Sequence, residues 1–271
     1  MMAFCLRYSS RLAAYGWVGL TVALLGGCAS TATPPSKVPP YTDQITQQDG
    51  AFSQPDRWQH TQPNCRGNCA KISLDSLVFP GKPELTQYVQ QRLLSVALGP
   101  DPDQALSPAK NYDQLQQRFW QQAGPRDELM LTAKLRYRNR DLTTLELGLY
   151  QYFTGAAHGQ AVTELVTWDH AKNQPLSLND VVRPQRYEDY VTALRTAHQR
   201  WLITQEAYQD QPQQYSKMWP FQVSENVGLT DAGLLVKYNS YEIAPYAFGQ
   251  PELLIPYSDL QGILRHEYLP N

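Results

Sequence analysis

The chain has 271 residues, with 23 Lys+Arg against 25 Asp+Glu, a formal charge of −2 and 42% hydrophobic residues. That balance supplies no basic face for a phosphate backbone, which argues against nucleic-acid binding and mildly favours a basic partner. The 17 tyrosines suit an interface, since each carries a large flat face and a polar tip, but buried sheet positions account for them equally well.

Arg7 and Arg11 precede a mostly apolar run, Leu12 to Leu25. The run is short of the ~20 residues of a membrane span and suits the core of a secretory signal. It ends in Leu25-Gly26-Gly27-Cys28, which resembles the lipobox of bacterial lipoproteins. The resemblance implies a signal peptide over 1–27, cleavage before Cys28 and lipidation of that cysteine, whose several acyl chains give stable anchoring. Ala29 follows the cysteine, a pattern that implies an outer-membrane lipoprotein facing the periplasm. Removing Arg7 and Arg11 takes the formal charge to −4. Residues 28–62 are rich in Pro, Thr, Ser and Gln without a sustained apolar period, which predicts a flexible tether with an end-to-end distance of roughly 30–35 Å.

Cys65 and Cys69, four residues apart, predict a short-loop disulfide in an oxidising compartment, with two free thiols or a metal site as the alternatives. A metal would need further ligands, and no histidine pair stands at helical spacing.

Lys71–Phe79 reads as a strand, and Pro80-Gly81-Lys82-Pro83 turns the chain. Leu85, Val89, Leu93 and Ala97 fall at i, i+4 steps and predict a helix over Glu84–Ala97. A second helix is predicted over Tyr112–Gln122. Leu129, Leu131, Ala133, Leu135 and Tyr137 then alternate with polar residues, and a return strand places Leu145, Leu147 and Leu149 on one face. The opposite face carries Glu146, Gly148, Tyr150 and Tyr152. This hairpin delivers Thr154-Gly155-Ala156-Ala157-His158-Gly159, a strand running into a shaped loop of small residues around one histidine.

A strand over Ala161–Trp168 returns from that loop. A long helix between Gln185 and Tyr208 follows, with an apolar stripe through Tyr190, Val191, Leu194 and Ala197. Pro212–Pro220 reads as a loop. Phe221–Leu229 and Leu234–Tyr238 read as hairpin arms, Glu252–Tyr257 as a strand and Ser258–Arg265 as a short helix. The expected fold class is α+β, an antiparallel sheet with helices packed on it. The expected divisions are an N-terminal α+β part over 63–150 and a C-terminal domain over 151–271.

Thr154-Gly155-Ala156-Ala157-His158-Gly159, Leu176-Ser177-Leu178-Asn179-Asp180, Tyr241-Glu242-Ile243-Ala244-Pro245-Tyr246-Ala247-Phe248-Gly249 and Leu254-Ile255-Pro256-Tyr257 occur in the order of one family. Together they resemble the RsiV-like extracytoplasmic domains of unknown function. That family usually has two successive glycines before Ala-His-Gly, and here Ala156 replaces the second. Its best-understood members are membrane anti-sigma factors whose outer domain binds lysozyme, and related domains accompany peptidoglycan deacetylases. The resemblance implies an envelope domain that binds a lysozyme-like protein or peptidoglycan.

Tyr152, His158, Tyr241, Glu242 and Tyr246 are the candidate ligand contacts. The bland reading of His158 is a loop histidine whose ring fixes the turn, and Glu242 with Asp180 is a formal acid–base pair that nothing in the sequence brings together. Gly-x-Ser-x-Gly, His-Glu-x-x-His and phosphate-binding glycine loops are missing from the sequence, so no catalytic residue, cofactor or metal is assigned. The expectation is a non-enzymatic envelope lipoprotein. The alternatives are a peptidoglycan hydrolase with an unrecognised site and a purely structural envelope protein.

Overall fold

Strands β1 (Gln54–Thr61), β2 (Lys71–Val78), β3 (Glu128–Arg138), β4 (Leu142–Tyr152), β5 (Gln160–Asp169) and β6 (Gln174–Leu176) form one six-stranded sheet in sequence order. The computed structural model describes residues 52–95 and 109–270. Cys28, the signal peptide and most of the tether lie outside the described residues. Every strand pair in this sheet is antiparallel except β2 with β3. The exception follows from the connection: helices α1 (Pro83–Leu94) and α2 (Tyr112–Gln122) lie between those two strands in sequence, and a parallel pair needs such a long crossover.

The alternation predicted for β3 and β4 builds the first core. Leu129, Leu131, Leu145 and Leu147 meet Leu85, Val89 and Leu93 of α1 and Leu115 and Phe119 of α2 in one buried cluster. Helix α2 is capped by Asn111, whose side chain accepts from the Gln114 N–H at 2.8 Å and satisfies one otherwise orphaned donor.

A second, three-stranded antiparallel sheet stacks on the other face. It consists of β7 (Val227–Leu229), β8 (Gly233–Lys237) and β9 (Glu252–Pro256). Its Leu234, Val236, Leu253 and Ile255 join Tyr190, Leu194 and Ala197 of helix α4 (Tyr187–Leu202) in a second core. Short helices α3 (Leu178–Val181), α5 (Glu206–Asp210) and α6 (Pro212–Met218) complete the chain. The α+β class stands, arranged as helices, sheet, sheet and helix.

Close stacking of the two sheets rests on named contacts. A Cβ at Gly228 would lie 2.7 Å from the Thr144 methyl. Thr144 donates to the Leu229 carbonyl at 2.6 Å, and the Leu229 N–H donates to the Thr167 hydroxyl at 3.0 Å. Arg136, Glu146, Lys237 and Glu252 form a mixed-charge cluster between the sheets, with Lys237 2.9 Å from Glu146 and 2.8 Å from Glu252.

Several expectations are corrected. Gln54–Thr61, read as the end of the 28–62 tether, is an edge strand whose polar composition hid it. Cys65 and Cys69 are disulfide-bonded, as expected, and the bridge lies in the loop between β1 and β2. Tyr137 does not share the face of Leu129 to Leu135. A bulge between Leu135 and Tyr137 shifts the register by one residue, so Tyr137 stands opposite Thr144 in the second core, as an inserted residue requires. The 150/151 division falls inside β4, which pairs with β3 and β5 on either side of it. Pro212–Met218 is helical, and the predicted 258–265 helix is only a 3-10 turn over Tyr257–Leu260.

Candidate functional site

The β4–β5 connection is fastened at both ends. Asp127, 3% exposed, accepts from the Thr154 N–H at 2.6 Å and the Thr154 hydroxyl at 2.7 Å, while its other oxygen accepts from the Gly124 N–H at 2.8 Å. Thr154 also donates to the Pro125 carbonyl. Within the loop only Gly155 takes a left-handed angle, φ 95°. Ala156 does not, and its N–H donates to the Phe153 carbonyl at 2.9 Å, so the Gly-to-Ala departure from the family pattern meets no backbone penalty here. At the far end a Cβ on Gly159 would lie 2.3 Å from the Tyr150 ring; the glycine lets that ring close over the strand start.

His158 is thereby turned toward the segment after β8. Its ring stacks on Tyr246 with centroids 3.8 Å apart, and its Nε2 lies 3.1 Å from the Tyr241 hydroxyl. Nδ1 lies 2.9 Å from the Gly159 carbonyl. A carbonyl only accepts, so in the neutral ring Nδ1 carries the proton and Nε2 accepts from Tyr241. Tyr246 donates to that same carbonyl at 3.0 Å. Trp219, just past α6, stacks on Tyr241 at 6.3 Å. The result is a run of rings through Trp219, Tyr241, Tyr246 and His158, of which Tyr241 is the most open, 53% exposed.

Tyr241 has φ 71°, a left-handed angle that costs a bulky residue on the order of 1–2 kcal/mol. Surrounding bonds hold it there. Its N–H donates to the Ala244 carbonyl at 3.1 Å, and the Asn239 N–H donates to the Glu242 carboxylate at 2.8 Å. The Asn239 side-chain oxygen in turn accepts from the Thr163 N–H and from Gln250. The turn that presents Tyr241 is therefore tied to β5.

Three of the five sequence candidates converge: His158, Tyr241 and Tyr246. Glu242 is occupied in closing the turn. Tyr152 pairs with Glu128 at the end of β4 and no described contact joins it to His158. Asp180 is spent in a capping box with Ser177, whose hydrogen bonds hold its carboxyl below the usual range. Trp219, Tyr150 and Asp127 were not among the sequence candidates. Trp219 had a readable signal, because Pro212 at a helix start and Pro220 just after Trp219 bracket a short helix; Asp127 had none.

The arrangement offers aromatic faces, hydroxyls and an imidazole, which suit contact with an amphipathic ligand. Among the described residues no three His, Cys, Asp or Glu side chains group as metal ligands, and no helix is long and apolar enough to cross a membrane.

Fold and site together define an α+β domain that stacks a small sheet on a larger one and displays aromatic rings at their junction. The crystal structure of a DUF3298 family protein from Pseudomonas aeruginosa PAO1 has the same architecture, with a TM-score of 0.75 and 30% sequence identity over 83% of this chain and 100% of that one. The family model for proteins of unknown function, DUF3298, matches residues 179–258. The chain belongs to the DUF3298 family. A family member from Bacteroides fragilis NCTC 9343 shares the fold at a TM-score of 0.57 and 17% identity, covering 79% of this chain and 93% of its own. No curated protein matches the chain.

Proposed function

We propose that this protein is a cell-envelope lipoprotein, anchored through Cys28 to the outer membrane and facing the periplasm, whose domain binds a lysozyme-like protein or peptidoglycan without chemistry. Within the family it stands with the RsiV-like outer domains. The carrying observation is Tyr241, an open aromatic ring held at φ 71° between Trp219 and the His158–Tyr246 stack. Backbone strain of that kind persists where surrounding bonds impose it, and it clusters at contact sites. Tyrosine and tryptophan supply large, rigid contact area at such sites.

The hydrogen bonds of His158 go to a carbonyl and a phenol, which fixes the ring as part of the face. The test is calorimetric titration of a soluble Cys28→Ser form with lysozyme and with peptidoglycan fragments. Saturable binding to one of them is expected, and binding to neither would remove this reading. Wall-digest activity lost in His158→Ala would instead favour a hydrolase.

A further inference from the structure

A second cluster of aromatic rings lies at the β1 edge of the large sheet, beside the start of α2. Trp58 and His60, two residues apart on β1, project to the same side of the strand. Their rings stack with centroids 4.8 Å apart and planes 19° from parallel. Tyr112, the first residue of α2, stands at 70° to Trp58 with a centroid separation of 5.7 Å. The three rings make a corner, and beside it opens a cavity of about 320 Å³.

Among the described residues the remaining wall is made of side-chain amides and one carboxylate, with no aliphatic side chain: Gln90 from α1, then Asp113 and Gln116 from α2, beside the capping Asn111. Gln116 Oε1 is bonded to His60 Nδ1. An amide oxygen only accepts, so Nδ1 donates and His60 Nε2 is left to another partner, as is the Gln116 amide nitrogen. No described hydrogen bond engages the side chain of Gln90 or of Asp113. A polar wall of that kind, beside rings that are not fully covered, combines a surface for C–H groups with donors and acceptors for hydroxyls. It contrasts with the groove of similar volume between α1 and β4–β5, which Leu93, Leu147, Leu149 and Val162 make mostly apolar.

From this geometry we infer that the Trp58–His60–Tyr112 corner is a binding site for a neutral, acetamido-bearing saccharide of one or two rings. A pyranose has the required amphipathic shape: its C–H face packs on an aromatic ring, and its rim of hydroxyls takes the amides and the carboxylate. Side-chain amides pair with an acetamido group donor to acceptor in both directions. Asp113, the only charged side chain on the wall among the described residues, accepts from hydroxyls and repels anionic sugars or phosphates. The cavity is at the lower end of the usual ligand-site range of about 300–1,000 Å³, which limits it to a small unit or a chain end. The site shares no residue with the His158 face and does not depend on that face binding anything.

The test is a titration of the Cys28→Ser chain with N,N′-diacetylchitobiose, followed by tryptophan fluorescence and by chemical shifts of the tryptophan side-chain N–H groups. Saturable binding at millimolar sugar is expected, weakened about tenfold or more in Trp58→Ala. Asp113→Ala and Gln90→Ala, both surface changes, are expected to weaken it severalfold with unchanged far-UV circular dichroism. Should Trp58→Ala unfold the edge strand, those two variants decide. Cellobiose, which lacks acetamido groups, is expected to bind more weakly. Binding equal to cellobiose, binding unaffected by Asp113→Ala and Gln90→Ala, binding lost only in Tyr241→Gly, or no saturable binding would each overturn the assignment.

Discussion

The two faces of the six-stranded sheet are covered in different ways. On the helix side, leucines from alternate positions of β3 and β4 meet apolar stripes of α1 and α2. On the other side a second sheet approaches closely, and the groups buried between the sheets include Thr144, Thr167, Glu146 and Lys237. Helix against sheet is held mainly by packed apolar side chains, with the His60–Gln116 and Arg92–Glu164 bonds at its margins. Sheet against sheet is held by hydroxyls bonded to backbone and by paired charges, which tolerate close approach only where a glycine or a threonine leaves room. The aromatic face belongs to the second kind, because its Tyr241 turn is carried on the small sheet and tied to β5 through Asn239.

The largest expected effect breaks the sheet-on-sheet side at its backbone. Gly233 has φ 153°, and a Cβ there would lie 2.2 Å from the Ile255 carbonyl oxygen. Gly233→Ala is therefore expected to destabilise by about 3 kcal/mol or more, seen as a lowered urea midpoint. A wild-type midpoint would show that β8 and β9 part easily.

Lys237→Ala comes next. It takes one of two cationic partners from the buried Glu146 carboxylate, whose side chain is 10% exposed and keeps Arg136, at a cost of about 2–3 kcal/mol. The double change Lys237→Met with Glu146→Leu is expected to recover most of that loss, since replacing both partners by apolar groups is often near neutral. No recovery would mean that the charges, rather than their pairing, fix the register of the two sheets.

Acid should separate the two sides. His170, 9% exposed and bonded to Thr143 at 2.9 Å, has its pKa lowered from 6.5 to about 4, mainly by burial and then by the Lys82 charge. The unfolded chain then binds a proton between pH 6.5 and 4 that the folded chain refuses, so acidification through that window removes about 2–3 kcal/mol. Glu252 is lowered from 4.5 to about 2, first by its bonds to Arg136. Its contribution is full above pH 4.5 and is lost on falling toward 2; its carboxylate is about one-third exposed, which screens the loss to about 1 kcal/mol. Stability measured against pH is expected to fall in two steps, with His170→Phe shrinking the first, to which buried His198 also contributes, and Glu252→Gln shrinking the second.

This contrast also explains what the sequence made legible. Alternation through Leu129, Leu131 and Ala133, and the i, i+4 steps through Leu85, Val89 and Leu93, located the helix-side core because apolar residues there are buried and polar ones are not. The other face was opaque for the opposite reason. Glu146, Thr144 and Lys237 look like surface residues until their partners are known, and the bulge that sends Tyr137 across the sheet has no local sequence mark. Strand β1 was missed because an edge strand with Pro55, Arg57 and Gln59 needs few apolar residues. At the site, His158, Tyr241 and Tyr246 were found through motifs separated by about 80 residues. Glu242 stands among the candidate ligand contacts although it closes its own turn, since sequence spacing cannot tell a turn cap from a ligand-facing acid.

The smallest structural change bears most directly on function. Tyr241→Gly relaxes a left-handed residue, while it loosens the unfolded chain and gives up the ring's contacts with Trp219, Tyr246 and His158; each effect is about 1 kcal/mol and the first opposes the others, so the melting temperature is expected to fall by only a few degrees. The decisive measurement is calorimetric titration of wild type and Tyr241→Gly, both in the soluble Cys28→Ser form, with the lysozyme or peptidoglycan ligand that wild type binds. Affinity reduced at least about tenfold at matched stability is the expected result. Equal affinity in the two proteins would contradict the assignment of the aromatic face as the binding surface.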